Sequence, residues 1–254
     1  MQEKQLKYRD FPVSVIMDVP FSKLSLTETE EYLTRRILSG KTTHVVTANP
    51  EILMYANNSP EYKGILQSAD MVVPDGIGVV YASRLRNDPV TERVAGYDLL
   101  HRLMSQADQH QLKVYLLGAN DEVNRLAFER LANDYPNAIF VGRHHGYFKD
   151  GSDIEAMILN DIAEKKPDIL FVALGFPRQE LWISKHQPQL KIPLVMGVGG
   201  SFDVLSGKVK RAPVIWQKLG LEWLYRLISM PSRWRRMMVL PQFLIKEVLR
   251  KLKN

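Results

Sequence analysis

Seven short runs of β-branched and other apolar residues recur along this chain, at 13–17, 44–47, 71–73, 114–117, 139–141, 169–173 and 194–197. Between them lie stretches with helical periodicity at 27–39, 50–57, 76–84, 97–110, 122–135, 154–165 and 178–186. A chain with that alternation buries its apolar runs best by laying the strands parallel and covering both faces with helices. The spacing therefore predicts an α/β fold, a Rossmann-like and mostly parallel sheet flanked by helices. With 254 residues, 45% of them apolar, the chain can build a full core, and it shows no internal repeat.

Five of the strands run into polar or glycine-rich turns: Thr47-Ala-Asn-Pro, Val73-Pro-Asp-Gly, Leu117-Gly-Ala-Asn, Leu174-Gly-Phe-Pro-Arg-Gln and Gly197-Val-Gly-Gly-Ser-Phe-Asp. In an open parallel sheet the carboxyl ends of the strands share one edge, and ligands bind in the crevice there. A site is expected at that edge.

Charge divides the chain unevenly. Residues 208–254 carry 12 Lys/Arg against only Glu222 and Glu247, a net of +10, so residues 1–207 carry −4 of the overall +6. Two parts are expected: an α/β catalytic domain over 1–207 and a basic helical appendage over 208–254. Lys218, Glu222 and Arg226 recur every four residues, with Trp216, Leu219, Trp223 and Leu227 on another face. The pattern reads as one amphipathic helix, with a second piece starting at Pro231. Arginines mixed with Trp, Met and Leu suit an anionic lipid surface. The alternative is a C-terminal helix packed on the core with a solvated basic face. No uncharged stretch approaches the roughly 20 apolar residues of a membrane crossing, so lipid contact would be peripheral. Without cysteine there are no disulfides or thiolate metal sites, and the polar opening MQEKQLKYRD lacks an apolar signal segment, so a cytoplasmic setting is expected.

Asp75, between Pro74 and Gly76 at a strand end, is a candidate general base in the crevice; capping of the following helix is the alternative. Thr47 and Asn49 can orient sugar hydroxyls or cap a helix. Gly118, Gly199 and Gly200 let the backbone approach a ligand, with Asp203, Arg178 and Gln179 nearby. No Asp-x-Asp occurs, and His144 and His145 would point to opposite faces of a strand. No metal or other cofactor is expected, so arginines must neutralise any diphosphate. A nucleic-acid partner fits poorly, because the tail interleaves its cations with large apolar side chains. An oxidoreductase would need a dinucleotide fingerprint after the first strand, where the chain instead reads Asp18-Val-Pro-Phe-Ser.

Taken together, Thr47-Ala-Asn-Pro-Glu, Pro74-Asp-Gly, Arg93-Val-Ala-Gly-Tyr-Asp, Leu117-Gly, Gly175-Phe-Pro-Arg-Gln-Glu, Gly197-Val-Gly-Gly-Ser-Phe-Asp, Gly207-Lys-Val-Lys-Arg-Ala-Pro and Gly220-Leu-Glu-Trp resemble the WecG/TagA/CpsF glycosyltransferases. The resemblance spans about residues 13–236. It implies an inverting, metal-independent transferase on the cytoplasmic side of a bacterial membrane. The best-known members move N-acetylmannosamine from UDP to C4 of the GlcNAc of undecaprenyl-diphosphate-GlcNAc in wall teichoic acid synthesis. Others use its uronic acid or another hexose, for enterobacterial common antigen or capsules. By the same resemblance Asp75 is the base, Thr47, Arg93 and Gln179 are catalytic, and Arg226, Arg233 and Arg236 close over the diphosphate. Membrane docking is then expected to bring those arginines over the nucleotide, and a detached tail would leave an apolar surface open to homo-oligomer formation.

Overall fold

Six parallel strands form the central sheet: β3 (Thr43–Ala48), β4 (Met71–Pro74), β5 (Lys113–Gly118), β6 (Ile139–His144), β7 (Ile169–Ala173) and β8 (Leu194–Gly197), in the order β4-β3-β8-β7-β5-β6. The computed structural model describes residues 9–229 and 238–253. Around the sheet pack α1 (Leu26–Leu38), α2 (Pro50–Asn58), α3 (Pro60–Ser68), α4 (Ile77–Leu85), α5 (Gly96–His110), α6 (Asp121–Asp134), α7 (Asp153–Lys165) and α8 (Arg178–Leu190). The short α9 (Ser201–Leu205) follows β8, and α10 (Val214–Lys218), α11 (Glu222–Ser229) and α12 (Val239–Lys253) make up the C-terminal part. The expected α/β architecture is present.

Strand residues alternate between the two faces of the sheet, and both faces are dry. Val45, Val73, Val114, Leu116, Phe171 and Met196 join one core layer with Leu33 of α1 and Leu99 and Leu103 of α5. Val46 and Val72 face the other way, onto Ile52, Leu53 and Val79, while Leu117, Leu170 and Val195 meet Ile158, Ile162 and Trp182. Each fully buried Leu, Ile or Phe contributes about 2 kcal/mol from apolar burial, so the layers on both faces stabilise the sheet.

The helices begin where local chemistry starts them. Ser25 and Glu28 form a capping box on α1, while Asn49, Ser59, Asn120 and Ser152 cap α2, α3, α6 and α7. Pro50 and Pro60 occupy first-turn positions, where no backbone N–H is needed.

Three local expectations are corrected. The first strand lies outside the parallel sheet: β1 (Val13–Ile16) turns back through Met17 and Asp18, both at positive φ, to pair antiparallel with β2 (Val19–Ser22). A two-residue turn of this kind matches the twist of a hairpin. The single tail helix is two short ones, α10 and α11, separated at residues 219–221. The histidine pair does not lie within one strand, because β6 ends at His144; the rings of His144 and His145 approach to 4.3 Å. The second tail piece expected at Pro231 lies outside the described residues.

Helix α12 packs on α2 and α4. Its Phe243 is fully buried in the same layer as Ile52 and Val79. Glu247, 1% exposed, pairs with Arg86 at the C-terminal cap of α4 at 3.3 Å. This end of the basic tail is thus part of the core, as in the alternative reading. Its outer face still exposes Ile245, Val248 and Leu249. Among the described residues no helix is long and apolar enough to cross a membrane.

Candidate active site

At the carboxyl ends of β3, β5, β7 and β8 the turns surround a cleft of about 1030 Å³. Thr47, Asn49, Asp75, Arg178, Gln179, Gly199, Gly200 and Asp203 all line it. Eight residues singled out from separate turns therefore meet in one place, as the common edge of a parallel sheet requires. A smaller pocket of about 220 Å³ adjoins the cleft, between the β4 turn and the C-terminal helices, lined by Arg93, Ile77, Gly78, Trp223 and Leu240 among others. Asn49, Glu51, Asp75 and Glu222 border both spaces.

Asp75 sits at the end of β4, partly buried, with its backbone N–H donating to the carbonyls of Ala48 and Val73 at 3.0 Å each. The N-cap residue of α4 is Gly76, with no side-chain cap hydrogen bond. Asp75 is therefore not at the cap position, and it lines both spaces where they meet. Thr47 is 7% exposed and its hydroxyl donates to the carbonyl of Gly197 at 3.1 Å, tying β3 to the glycine turn. Asn49 caps α2, its Oδ1 accepting from the Ile52 N–H at 3.1 Å, and the residue also borders the cleft.

Gln179, on the first turn of α8, is 2% exposed. Its Oε1 accepts from the Gly199 N–H at 3.1 Å and its Nε2 donates to Glu180 at 2.5 Å. Arg178 holds a loop: its guanidinium donates to the carbonyls of Gly146 and Phe148 at 2.7 and 2.6 Å and pairs with Asp150 at 3.0 Å. The Phe148 ring lies under it, 4.4 Å from Cζ. This fixes the segment whose Tyr147 and Lys149 form one wall of the cleft. Gly118 serves packing, since a Cβ there would lie 2.4 Å from the Ala173 carbonyl; its neighbours Ala119 and Asn120 line the cleft instead.

Arg93 faces the smaller pocket and donates to Glu222 of α11 at 3.0 Å, with both side chains largely buried. Arg226 falls on α11, but its side chain, like Arg233 and Arg236, lies outside the described residues.

Sequence reasoning passed over three contributors. Arg211 lines the cleft, forks onto Asp98 at 2.6 and 2.7 Å and stacks 4.8 Å over the Tyr97 ring. Burial alone would lower its pKa, but the Asp98 hydrogen bonds and charge outweigh that and raise it, so this cation is permanent. Lys149 supplies a second cation. Glu180 lies fully buried behind Gln179, and desolvation raises its pKa to about 7. Arg211 and Glu180 both fall within the motif blocks named above, but their partners, Asp98 and Tyr62, are more than a hundred residues away in sequence, so the pairings carry no local signal.

The family model described as "Glycosyl transferase WecG/TagA/CpsF family" matches residues 14–254. The chain is 44% identical over 204 residues to the N-acetylglucosaminyldiphosphoundecaprenol N-acetyl-beta-D-mannosaminyltransferase of Bacillus spizizenii, covering 80% of this chain and 78% of that one. Enzymes of the same name from Bacillus subtilis and Staphylococcus aureus are each 38% identical. The first covers 94% of this chain and 92% of its own, the second 91% and 90%. With its turns converging on one cleft and this similarity running along almost its full length, the chain belongs to the WecG/TagA/CpsF family of glycosyl transferases.

Proposed function

We propose that this chain moves N-acetylmannosamine from UDP-N-acetylmannosamine to the C4 hydroxyl of the GlcNAc of undecaprenyl-diphosphate-GlcNAc, inverting the anomeric centre in one displacement. The relatives of 38–44% identity carry the name of that activity. The observation that carries the mechanism is the position of Asp75 on the border of two spaces. The larger, about 1030 Å³, suits a nucleotide sugar, and the smaller one admits the acceptor's sugar end.

In this reading the Asp75 carboxylate takes the proton from the acceptor hydroxyl as it attacks the anomeric carbon from the face opposite UDP. Negative charge builds on the departing β-phosphate. Arg211 and Lys149 line the donor space and offer fixed positive charge there. Arg226, Arg233 and Arg236 would complete that field when the C-terminal part closes. Thr47 and Gln179 hold the glycine turn against the donor, and Arg93 anchors α11 through Glu222. Cations alone carry the leaving-group charge, with no metal required.

The exposed Ile245, Val248 and Leu249 of α12, together with Ile228 of α11, would rest on the inner face of the bacterial plasma membrane as a peripheral contact, where the lipid acceptor resides. The basic residues around them favour anionic headgroups. The division into a body over 1–207 and an appendage over 208–254 is proposed in this functional sense, since α12 is already docked on the body.

A donor screen tests the proposal. UDP-N-acetylmannosamine, its uronic acid and UDP-glucose are offered with a short-chain lipid-diphosphate-GlcNAc, with and without EDTA. Transfer of N-acetylmannosamine unaffected by EDTA is expected. Preference for the uronic acid or glucose would redirect the substrate, and loss of transfer in EDTA would overturn the metal-free mechanism.

A further inference from the structure

Behind the glycine turn lies a buried carboxylate that the transfer mechanism does not use. Glu180 follows Gln179 on α8 and is fully enclosed. One of its oxygens, Oε1, accepts from Gln179 Nε2 at 2.5 Å; the other, Oε2, accepts from the hydroxyl of Tyr62 on α3 at 2.9 Å. Gln179 in turn presents Oε1 to the N–H of Gly199, 3.1 Å away, at the lip of the cleft. Gly197 leaves room for this: a Cβ there would lie 2.8 Å from Gln179 Nε2 and 3.2 Å from Glu180 Oε1. From the opposite side the Thr47 hydroxyl holds the Gly197 carbonyl.

An ionised carboxylate can only accept hydrogen bonds, so it dictates which way the neighbouring amide points. With Glu180 charged, the NH2 of Gln179 must face it, and the carbonyl oxygen is left for Gly199. A protonated Glu180 can donate instead, and then the Gln179 amide is free to reverse and offer a donor to the Gly199 N–H, which cannot accept. We propose that Glu180 is a positioning residue for the nucleotide site, setting the glycine turn through Gln179 so that donor affinity follows its charge. The inference rests on the reading of the larger cleft as the UDP-sugar site.

The surroundings place this switch near neutrality. Desolvation is the main influence on Glu180, bringing its pKa to about 7 against the opposing hydrogen bonds of Gln179 and Tyr62. Tyr62 is the titratable group that bonds it, and burial raises the phenol's own pKa, so Tyr62 stays neutral. The rings of Tyr55 on α2 and of Phe176 pack on Tyr62 at 5.1 and 5.7 Å, and Phe176 itself lines the cleft. The partners from α3, α8 and β8 bring no cation to Glu180.

The test compares wild type with Glu180→Gln and Tyr62→Phe in two measurements between pH 6 and 8: UDP affinity by calorimetry and hydrogen exchange at the Gly199 amide. A glutamine at 180 is neutral at every pH and presents the same acceptor and donor as a protonated carboxyl, so it holds the site in the neutral-state arrangement throughout. Wild type is expected to lose about ten-fold in UDP affinity from pH 8 to pH 6 relative to the glutamine variant, the limit for one proton with a pKa near 7. That difference removes the titration of UDP's own phosphate. Tyr62→Phe takes a donor from the carboxylate and should move the wild-type transition to higher pH. With the intrinsic exchange rate at each pH divided out, protection of the Gly199 amide should fall below pH 7 in wild type and stay constant at the lower level in Glu180→Gln. The same pH dependence in wild type and Glu180→Gln, or Gly199 protection indifferent to both pH and substitution, would overturn the inference. Failure of wild type to bind UDP at pH 8 would instead defeat the donor reading, and the exchange data, which need no ligand, would still decide the coupling.

Discussion

The glycine turn after β8 and the wall supplied by α11 line the same cleft but are held by different physics. The turn is braced from both sides by buried neutral and charge-assisted hydrogen bonds, from Thr47 on β3 and from Gln179 backed by Glu180 on α8. The α11 wall joins the body through the Arg93–Glu222 ion pair, and farther along the chain through the apolar seat of α12. Hydrogen bonds in a dry interior fix geometry to a fraction of an ångström, whereas an ion pair beside a cleft tolerates movement. The donor-side wall is therefore the more tightly held of the two, and under the proposed function the C-terminal wall is the one that would shift when lipid or acceptor arrives.

The difference can be broken most forcefully at α12. Phe243→Ala should cost about 3–5 kcal/mol in urea unfolding, because it opens a cavity in a core layer. A cost below about 1 kcal/mol would mean that α12 is not seated in solution.

On the rigid side, Glu180 provides a stability signature with a definite sign. Its pKa is near 7 in the fold against an ordinary 4.5, so the folded state prefers the protonated form. Its favourable contribution is complete below pH 4.5 and is lost as pH rises to 7, a decline on the order of 3 kcal/mol. Glu180→Gln should flatten that decline in melts taken across the window; an unchanged slope would assign the pH dependence to other groups. Binding and stability then pull in opposite directions, since the charged form orders the turn and the neutral form suits the interior.

Thr47→Val should sharpen the contrast more gently. It leaves the Gly197 carbonyl without its buried donor and should cost about 1–3 kcal/mol in stability, together with weaker UDP binding. The smallest effect belongs to the ion pair: a double-mutant cycle of Arg93→Met with Glu222→Gln should return a coupling of about 1 kcal/mol that changes little with salt, because both side chains are largely buried. A coupling as large as the effect of Thr47→Val would erase the distinction between the two walls.

The parallel sheet was legible because strand and helix periods alternate strongly and the turns carry caps. Asp75, Thr47, Gln179 and the glycines could be placed together before any coordinates, because every strand end in such a sheet meets one edge. The β1–β2 hairpin escaped notice because its turn uses Met17 and Asp18 rather than Gly or Asn, the residues that ordinarily announce positive φ. Helix α3 was missed although Ser59 and Pro60 form a readable start. The tail misled in another way. Its spacing of apolar residues fits one helix across Gly220, and local periodicity is blind to a chain break that tertiary contacts favour; a Cβ at Gly220 would press against Ile77 of α4. Glu180 and Arg211 were hidden because their roles come from partners distant in sequence.

The account depends most on Asp75 acting as the base between donor and acceptor. Purified Asp75→Asn, assayed for N-acetylmannosamine transfer and for UDP binding in parallel, should lose about 10²–10⁴-fold in kcat while binding UDP nearly as wild type does. Transfer at close to the wild-type rate, or activity and UDP affinity lost together, would contradict it.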